Sequence, residues 1–498
     1  MLMGCLLACA CVRGNGYTLQ YADATSPNPI RWPASSVYVS ISNSLNESQP
    51  NIKKGSDVIG ALRRSLKKWS SVARLDFIEL SSTNQNVSPV SGGDGINLIT
   101  VAPTRENSSL FRGVNAGQPA RTRVYFNASG NIVEADIALN PFQKFSTDGT
   151  FNTYDLEATF THEIGHMIGL DHSTVLGAAL QPRQAWNGTF YSAQISGRSL
   201  SSDDRAGAQT LYGNRSNIPS GSVGGTVTFP GGAPVAGVNV WAEDAGDGRV
   251  VESSITRLNG SYRLSNLAPG AYKLFAASLD GPIGLGDLES SRAAYATSDG
   301  RTGALRTREI GRVEVQSGST RAVNIEISNE PSDFVLTVVG INNQASSVAV
   351  PLVAGNTYTV FAGGRGVLKD QLLIDTIAVS SPFLHVDRTT IEQEGFGAGV
   401  DVISFQVTID SNAPAGIYSL WTGSKNGALA CLVGALVVMD NRIDERLSNI
   451  LSVDEAAEGV GFDPFANIRI DNSPGREVDP PSAEGDQTTT NLLVLTLS

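Results

Sequence analysis

Three of the four histidines in this 498-residue chain fall within the run His162-Glu163-Ile164-Gly165-His166-Met167-Ile168-Gly169-Leu170-Asp171-His172. A separation of four places the imidazoles of His162 and His166 one turn apart on one helix face, where they can share an ion. Glu163 follows the first of them directly, so its carboxylate lies beside that ion without occupying it, placed to take a proton from a zinc-bound water. Gly169, lacking a Cβ, can take a left-handed conformation, which ends the helix and turns the chain back toward His172. The pattern predicts one Zn2+ held by His162, His166 and His172, a fourth position open, and Glu163 as general acid/base. The opposing reading, ordinary helix histidines, would suffice for a bare H-E-x-x-H but leaves the glycine break and the third histidine unexplained.

The elements around this run must hold it rigidly. A helix is expected over Tyr154–Gly169, with Asp155 accepting from the unpaired amides of the first turn and Glu157 adding negative charge at the positive end of the dipole. Upstream, Val37–Ile41 alternates as a strand, and Asp57–Ala73 carries Val58, Ile59, Leu62, Leu66 and Trp69 at helical spacing. Arg63, Arg64, Lys67 and Lys68 on that helix read as a solvated face. Strands follow at Asp76–Leu80, Ile96–Val101 and Arg123–Phe126. In Ile132–Asn140, Val133, Ala135, Ile137 and Leu139 form one buried face, with Glu134 and Asp136 on the other. As an edge strand this segment would hold an extended peptide by main-chain hydrogen bonds; an interior position fits the pattern as well. A helix over Asp203–Leu211, with Leu200-Ser201-Ser202 as its cap region, closes the domain.

With those residues in view, His162–Ser173 resembles the metzincin zinc peptidases, and Ser173 directly after the third histidine is similar to the matrixin branch. Glu134-Ala135-Asp136-Ile137-Ala138-Leu139-Asn140-Pro141 resembles the matrixin strand before the active-site helix. Leu200–Gly213, with Asp203-Asp204, Gly207 and Leu211-Tyr212-Gly213, resembles the final helix. The resemblance covers about 195 residues. It implies an α+β metzincin-type catalytic domain, a mixed twisted sheet with three helices, acting as a zinc-dependent endopeptidase on protein or peptide substrates. There are three departures. Leu180, in Ala178-Ala179-Leu180-Gln181-Pro182, stands where the methionine turn is expected and offers a near-isosteric apolar floor. No cysteine pro-segment motif occurs. The only remaining histidine, His385, lies too far downstream for a second zinc, although Ca2+ is compatible with the family. Gln181, Pro182 and Arg183–Ser192 are expected to wall the pocket; Trp186, Phe190 and Tyr191 either line it or, on the plainer reading, pack that loop onto the core.

At this length about three domains are expected. Charged residues make up 17% and glycine is abundant at 52, which suits a β-rich chain with many turns. The net charge is -12, of which Asn441–Ser498, with eleven acidic and four basic residues, supplies seven units. Nucleic acid is excluded as a partner on that balance. The fold class expected is multidomain: the catalytic domain at 17–213, a linker at 214–222, and two β-sandwich domains. The first sandwich, 223–328, has tight turns at Asn259-Gly260 and Pro269-Gly270. It resembles the carboxypeptidase regulatory-like, transthyretin-like sandwich, which implies a non-catalytic spacer or binding module. The second, 331–440, reads as an Ig-like sandwich with strands at Phe334–Val339, Tyr358–Ala362, Ile374–Val379, Val402–Ile409 and Gly416–Trp421. Ala428–Met439 is apolar but falls short of the roughly 20 residues that span a bilayer, and reads as a buried strand. His385 reads as a core or edge histidine rather than a ligand. Residues 441–498 read as an acidic flexible tail in which Leu492–Leu497 could add a strand.

Residues 1–16, apolar with Cys5, Cys9 and Cys11, read as an export signal; Ala8-Cys9-Ala10 suits cleavage, Leu6-Leu7-Ala8-Cys9 suits acylation at Cys9, and a disordered start is the plainer alternative. Removal leaves Cys431 alone, so no internal disulfide is expected. The chain thus reads as a secreted or cell-surface enzyme, lipid-anchored in one version, with no transmembrane helix. The rival is a non-catalytic surface adhesion or carbohydrate-binding protein with a vestigial peptidase domain, its sandwiches making cell-surface or carbohydrate contacts. An intact Glu163 speaks against the rival.

Overall fold

A computed structural model describes residues 17–288, 292–296, 306–328, 330, 332–396, 400–439 and 493–497. Residues 1–16, expected from sequence to be an export signal, and most of the acidic tail lie outside the described residues.

The N-terminal domain is built on β1 (Ser36–Ser42), β2 (Asp76–Ser82), β3 (Leu98–Thr100), β4 (Ala120–Phe126) and β5 (Ile132–Leu139), in the order β2-β1-β3-β5-β4. Only β4 runs antiparallel to its neighbour, which makes the sheet mixed. Helices Val58–Val72, Leu156–Met167 and Ser202–Tyr212 accompany the sheet. The apolar stripe foreseen on the first helix buries Leu62, Leu66 and Trp69 in the core that also holds Phe160 and Ile164. Each such side chain contributes ~1.5–3 kcal/mol. Trp69 Nε1 also donates to the Thr161 carbonyl at 2.9 Å, locking the two helices in register. Arg64 and Lys68 are not merely a solvated face: both pair with the buried Glu157 carboxylate at the start of the second helix.

The edge-strand reading of Ile132–Asn140 is overturned. β5 lies between β3 and β4, and β4 is the edge of the five. Its polar face is covered too: Glu134 and Asp136 are 1% exposed, whereas Val133, assigned to the buried face, is 43% exposed. Asp136 accepts from the Ser88 and Leu98 amides at 2.7 and 2.9 Å, so a loop and β3 cap the face that alternation assigned to solvent. Burial raises its pKa to about 7. The outer side of β4 pairs antiparallel with Leu493–Leu497, the strand foreseen at the end of the tail, with Leu497 opposite Thr122.

The first sandwich sets the sheet Val250–Ile255, Val238–Asp244, Gly270–Ser278, Arg308–Val315 against one built on Ser261–Leu267, Gly221–Thr228 and Thr320–Ala322. The second pairs Val335–Gly340, Thr357–Arg365, Asp401–Ile409 and Leu384–Glu394 in one sheet. Its other sheet holds Val350–Leu352, Leu429–Val438, Gly416–Gly423 and Ala378–Val379. The strand expected at Ile374–Val379 shrinks to its last two residues, because Ile374–Thr376 closes a 3-10 turn. His385 is on the edge strand, exposed, with Nε2 3.1 Å from Asp410. Trp241 of one sandwich stacks on Trp421 of the other at a centroid distance of 5.8 Å, Phe275 meets the same ring tilted at 4.7 Å, and Val175 and Ala178 of the N-terminal domain join that cluster. Among the described residues no helix is long and apolar enough to cross a membrane.

Candidate metal centre

The helix Leu156–Met167 is capped as its sequence foretells. The Asp155 carboxylate accepts from the Ala158 amide at 2.9 Å and binds the Arg198 guanidinium through both oxygens, at 2.9 and 2.6 Å. Every residue of the helix is buried. It ends where Gly169 takes φ +95°, and a Cβ there would sit 2.4 Å from the Ile30 carbonyl oxygen. Both the backbone sign and the close approach require glycine. The turn brings His172 back to His162 and His166, and all three ligand atoms lie within 4.8 Å of one another.

Each ring is fixed from behind by a backbone carbonyl. His162 Nδ1 lies 2.8 Å from the Ala179 oxygen, His166 Nδ1 2.9 Å from that of Leu170, and His172 Nδ1 2.6 Å from that of Asp287. A carbonyl only accepts, so each Nδ1 carries the hydrogen and each Nε2 presents a lone pair. The Nε2 atoms of His162 and His166 are 3.1 Å apart, close to the ~3.3 Å expected of two nitrogens on one tetrahedral zinc. His172 Nε2 is buried without a hydrogen-bond partner. Converging buried lone pairs repel unless a cation sits among them, so the donor set fits Zn2+. Burial, with the two neighbouring rings, holds His166 well below its ordinary pKa, in the neutral form that binds metal.

Glu163, 1% exposed, accepts a 2.5 Å hydrogen bond from the Thr122 hydroxyl on β4. The same hydroxyl lies 3.1 Å from the Glu163 carbonyl, and its single hydrogen serves one of the two at a time. Leu180 is fully buried beneath the helix, so close that a Cβ on Gly165 would meet its Cδ2 at 2.5 Å. Its carbonyl accepts from the Ser173 amide at 2.9 Å, and the Ala179 and Leu180 amides donate to Asp204 at 2.8 and 3.2 Å. Trp186 packs edge-on against Tyr154, Phe190 is buried against the second sandwich, and Tyr191 is exposed. The sequence had offered no sign of Thr122, just ahead of the strand expected at Arg123–Phe126, nor of Asp287; Arg183, expected only in the loop walling the pocket, meets Asp287 beside His172. Among the described residues no acidic cluster assembles a comparable calcium site.

Residues 31–213 match the matrixin family, and residues 222–281 match the carboxypeptidase regulatory-like domain. Interstitial collagenase of Oryctolagus cuniculus is 28% identical over 200 residues, 40% of this chain and 36% of the relative. Metalloendoproteinase 4-MMP of Arabidopsis thaliana is 28% identical over 170 residues, 34% of this chain and 43% of the relative. The chain thus spans less than half the length of these curated relatives. A minor pilin of Streptococcus agalactiae aligns at 17% identity over 23% of this chain and 47% of its own, with a TM-score of 0.16, too low to argue from. The N-terminal domain is a matrixin domain, of a zinc metalloprotease family, and a carboxypeptidase regulatory-like domain follows it.

Proposed function

We propose that this protein is a zinc-dependent endopeptidase that cleaves extracellular proteins or peptides, with His162, His166 and His172 holding the ion and Glu163 as general acid/base. The observation that carries the reading is the convergence of three Nε2 lone pairs, each backed by a carbonyl, beside a buried carboxylate. A bound zinc supplies Lewis acidity toward a carbonyl oxygen and lowers the pKa of a water. Glu163, held by Thr122, takes the proton released and returns it to the departing amine. β4 offers an edge for an extended peptide, and the pairing of Leu493–Leu497 on that edge supports the mode of binding, since the register leads toward Thr122 and Glu163. The proposal includes secretion or display at the cell surface.

The test is digestion of casein by the full chain with and without a chelator, alongside Glu163→Gln. The variant is expected to lose ~10²–10⁴-fold in kcat while binding one equivalent of zinc by elemental analysis. Undiminished cleavage by Glu163→Gln would remove the proposed mechanism.

A further inference from the structure

The segment that delivers the third histidine is held from outside its own domain as well as from within it. His172 Nδ1 donates to the Asp287 carbonyl, on the turn Gly284–Leu288 that follows the strand Gly270–Ser278 of the first sandwich. The Ser173 hydroxyl donates to Asp203 at 2.5 Å, and the other oxygen of that buried carboxylate accepts from the Ser253 amide at 2.6 Å and hydroxyl at 3.1 Å, again in the sandwich. Thr174 Oγ1 meets Asn239 Oδ1 at 2.9 Å, and the Leu176 amide donates to the Val433 carbonyl of the second sandwich at 3.0 Å.

The turn itself is pinned to the catalytic domain. The Asp287 carboxylate accepts from the Gly284 amide at 2.8 Å and from Arg183 at 3.0 Å, and Arg183 also donates to the Pro282 carbonyl at 2.5 Å. Leu285 and Leu288 are buried in the catalytic core, and the Tyr295 hydroxyl lies 3.0 Å from both the amide and the carbonyl of Leu19.

Resting on the zinc reading above, we infer that the first sandwich is a working part of the metal centre through the segment between its strands Gly270–Ser278 and Arg308–Val315. Its turn Gly284–Leu288 fixes the tautomer and orientation of His172, and Arg183 and Asp287 are the positioning residues that hold the turn. A histidine whose Nδ1–H lacks an acceptor rotates and loses basicity at Nε2, and loss of such a partner costs ~10–100-fold in metal affinity. Coupling is reciprocal: if docking of the turn tightens zinc, zinc tightens docking of the turn.

The experiment measures zinc affinity of the full-length apoprotein by competition with a chromophoric chelator, and amide exchange at residues 285–288 with and without zinc. Arg183→Ala and Asp287→Ala are expected to weaken zinc by ~10–100-fold and to alter the visible absorption of the Co2+-loaded protein. Asp287→Asn, which keeps an acceptor for the Gly284 amide, recovers part of the loss. Leu264→Ala, in a separate apolar cluster of the same sandwich, lowers stability and leaves zinc affinity unchanged. Zinc slows exchange at 285–288 in the unsubstituted protein, a readout that needs no variant to fold. Unchanged affinity in both alanine variants together with zinc-insensitive exchange overturns the inference. Failure of the unsubstituted protein to bind zinc overturns the zinc reading instead.

Discussion

Leu180 occupies the place beneath the metal helix where the family resemblance leads one to expect methionine. Neither side chain contacts the ion as a ligand, so the floor acts by volume, and Leu180 fills it with no measurable exposure. Leu180→Met is therefore expected to change zinc affinity and kcat/KM by less than about 3-fold, since the two side chains are nearly isosteric. Leu180→Ala opens a cavity against Gly165 and should cost ~2–5 kcal/mol in urea denaturation of the zinc-loaded protein. Comparable losses in the two variants would mean that shape, rather than volume, sets the floor. At this scale the convergence of His162 and His166 was legible because spacing along a helix encodes it, and the return of His172 because Gly169 marks the turn. The three carbonyls behind the rings were not. They belong to Ala179, Leu170 and Asp287, and a carbonyl's position depends on where distant backbone is folded, not on side-chain type.

The helix that carries the site owes its start to Asp155, which does two jobs at once. As a cap it satisfies the Ala158 amide; as a buried anion it holds Arg198, whose side chain is 17% exposed. The cap could be read from sequence, because a short acidic side chain ahead of an apolar run is a local signal. Arg198, 43 positions away, could not. Asp155→Ala should cost about 3 kcal/mol in denaturation, since it removes a cap and strands a buried guanidinium. Asp155→Asn keeps the cap acceptor and should retain at least a third of that. If the two are equally destabilised, the ion pair alone matters. The same local limit explains β5. Alternation correctly marked Ala135, Ile137 and Leu139 as buried, but it says nothing of a second layer, and a loop over Glu134 and Asp136 buries the other face of a strand that its neighbours in the sheet already make interior.

Across the whole molecule, composition and turn spacing announced three β-rich or mixed units but not how tightly they interlock. Short apolar residues such as Val175, Leu176 and Ala178 look like ordinary loop filling, yet they seat in both sandwiches. Glu243 is a titratable group at that junction, near the Cys431 thiol. Its carboxyl accepts from Trp241 Nε1 at 3.2 Å, and burial lifts its pKa from 4.5 to about 7. The fold thus favours its protonated form. That contribution is complete below the unfolded pKa and lost as pH rises through about 7. Glu243→Gln should therefore be more stable than the parent at pH 8, by at most ~3 kcal/mol, with the gap closing toward pH 5. Equal urea midpoints for the two proteins at both pH values would show that the carboxyl is hydrated at the junction.

The outer side of β4 supplies the last test, because a substrate that binds there meets the chain's own strand first. Leu493–Leu497 occupies the ladder positions from Phe126 to Thr122, and Thr122 bonds Glu163. A competitor on the same chain acts at an effective concentration that falls with the length of the intervening segment but is not diluted away, so it raises KM without touching the chemistry at Glu163. Deleting residues 491–498 is expected to lower KM for an extended peptide by ~10-fold or more with kcat unchanged, and a free peptide of that sequence should restore the inhibition competitively. An unchanged KM would mean that substrates do not pair with β4, and the groove would have to be sought along the wall formed by Gln181–Ser192 instead.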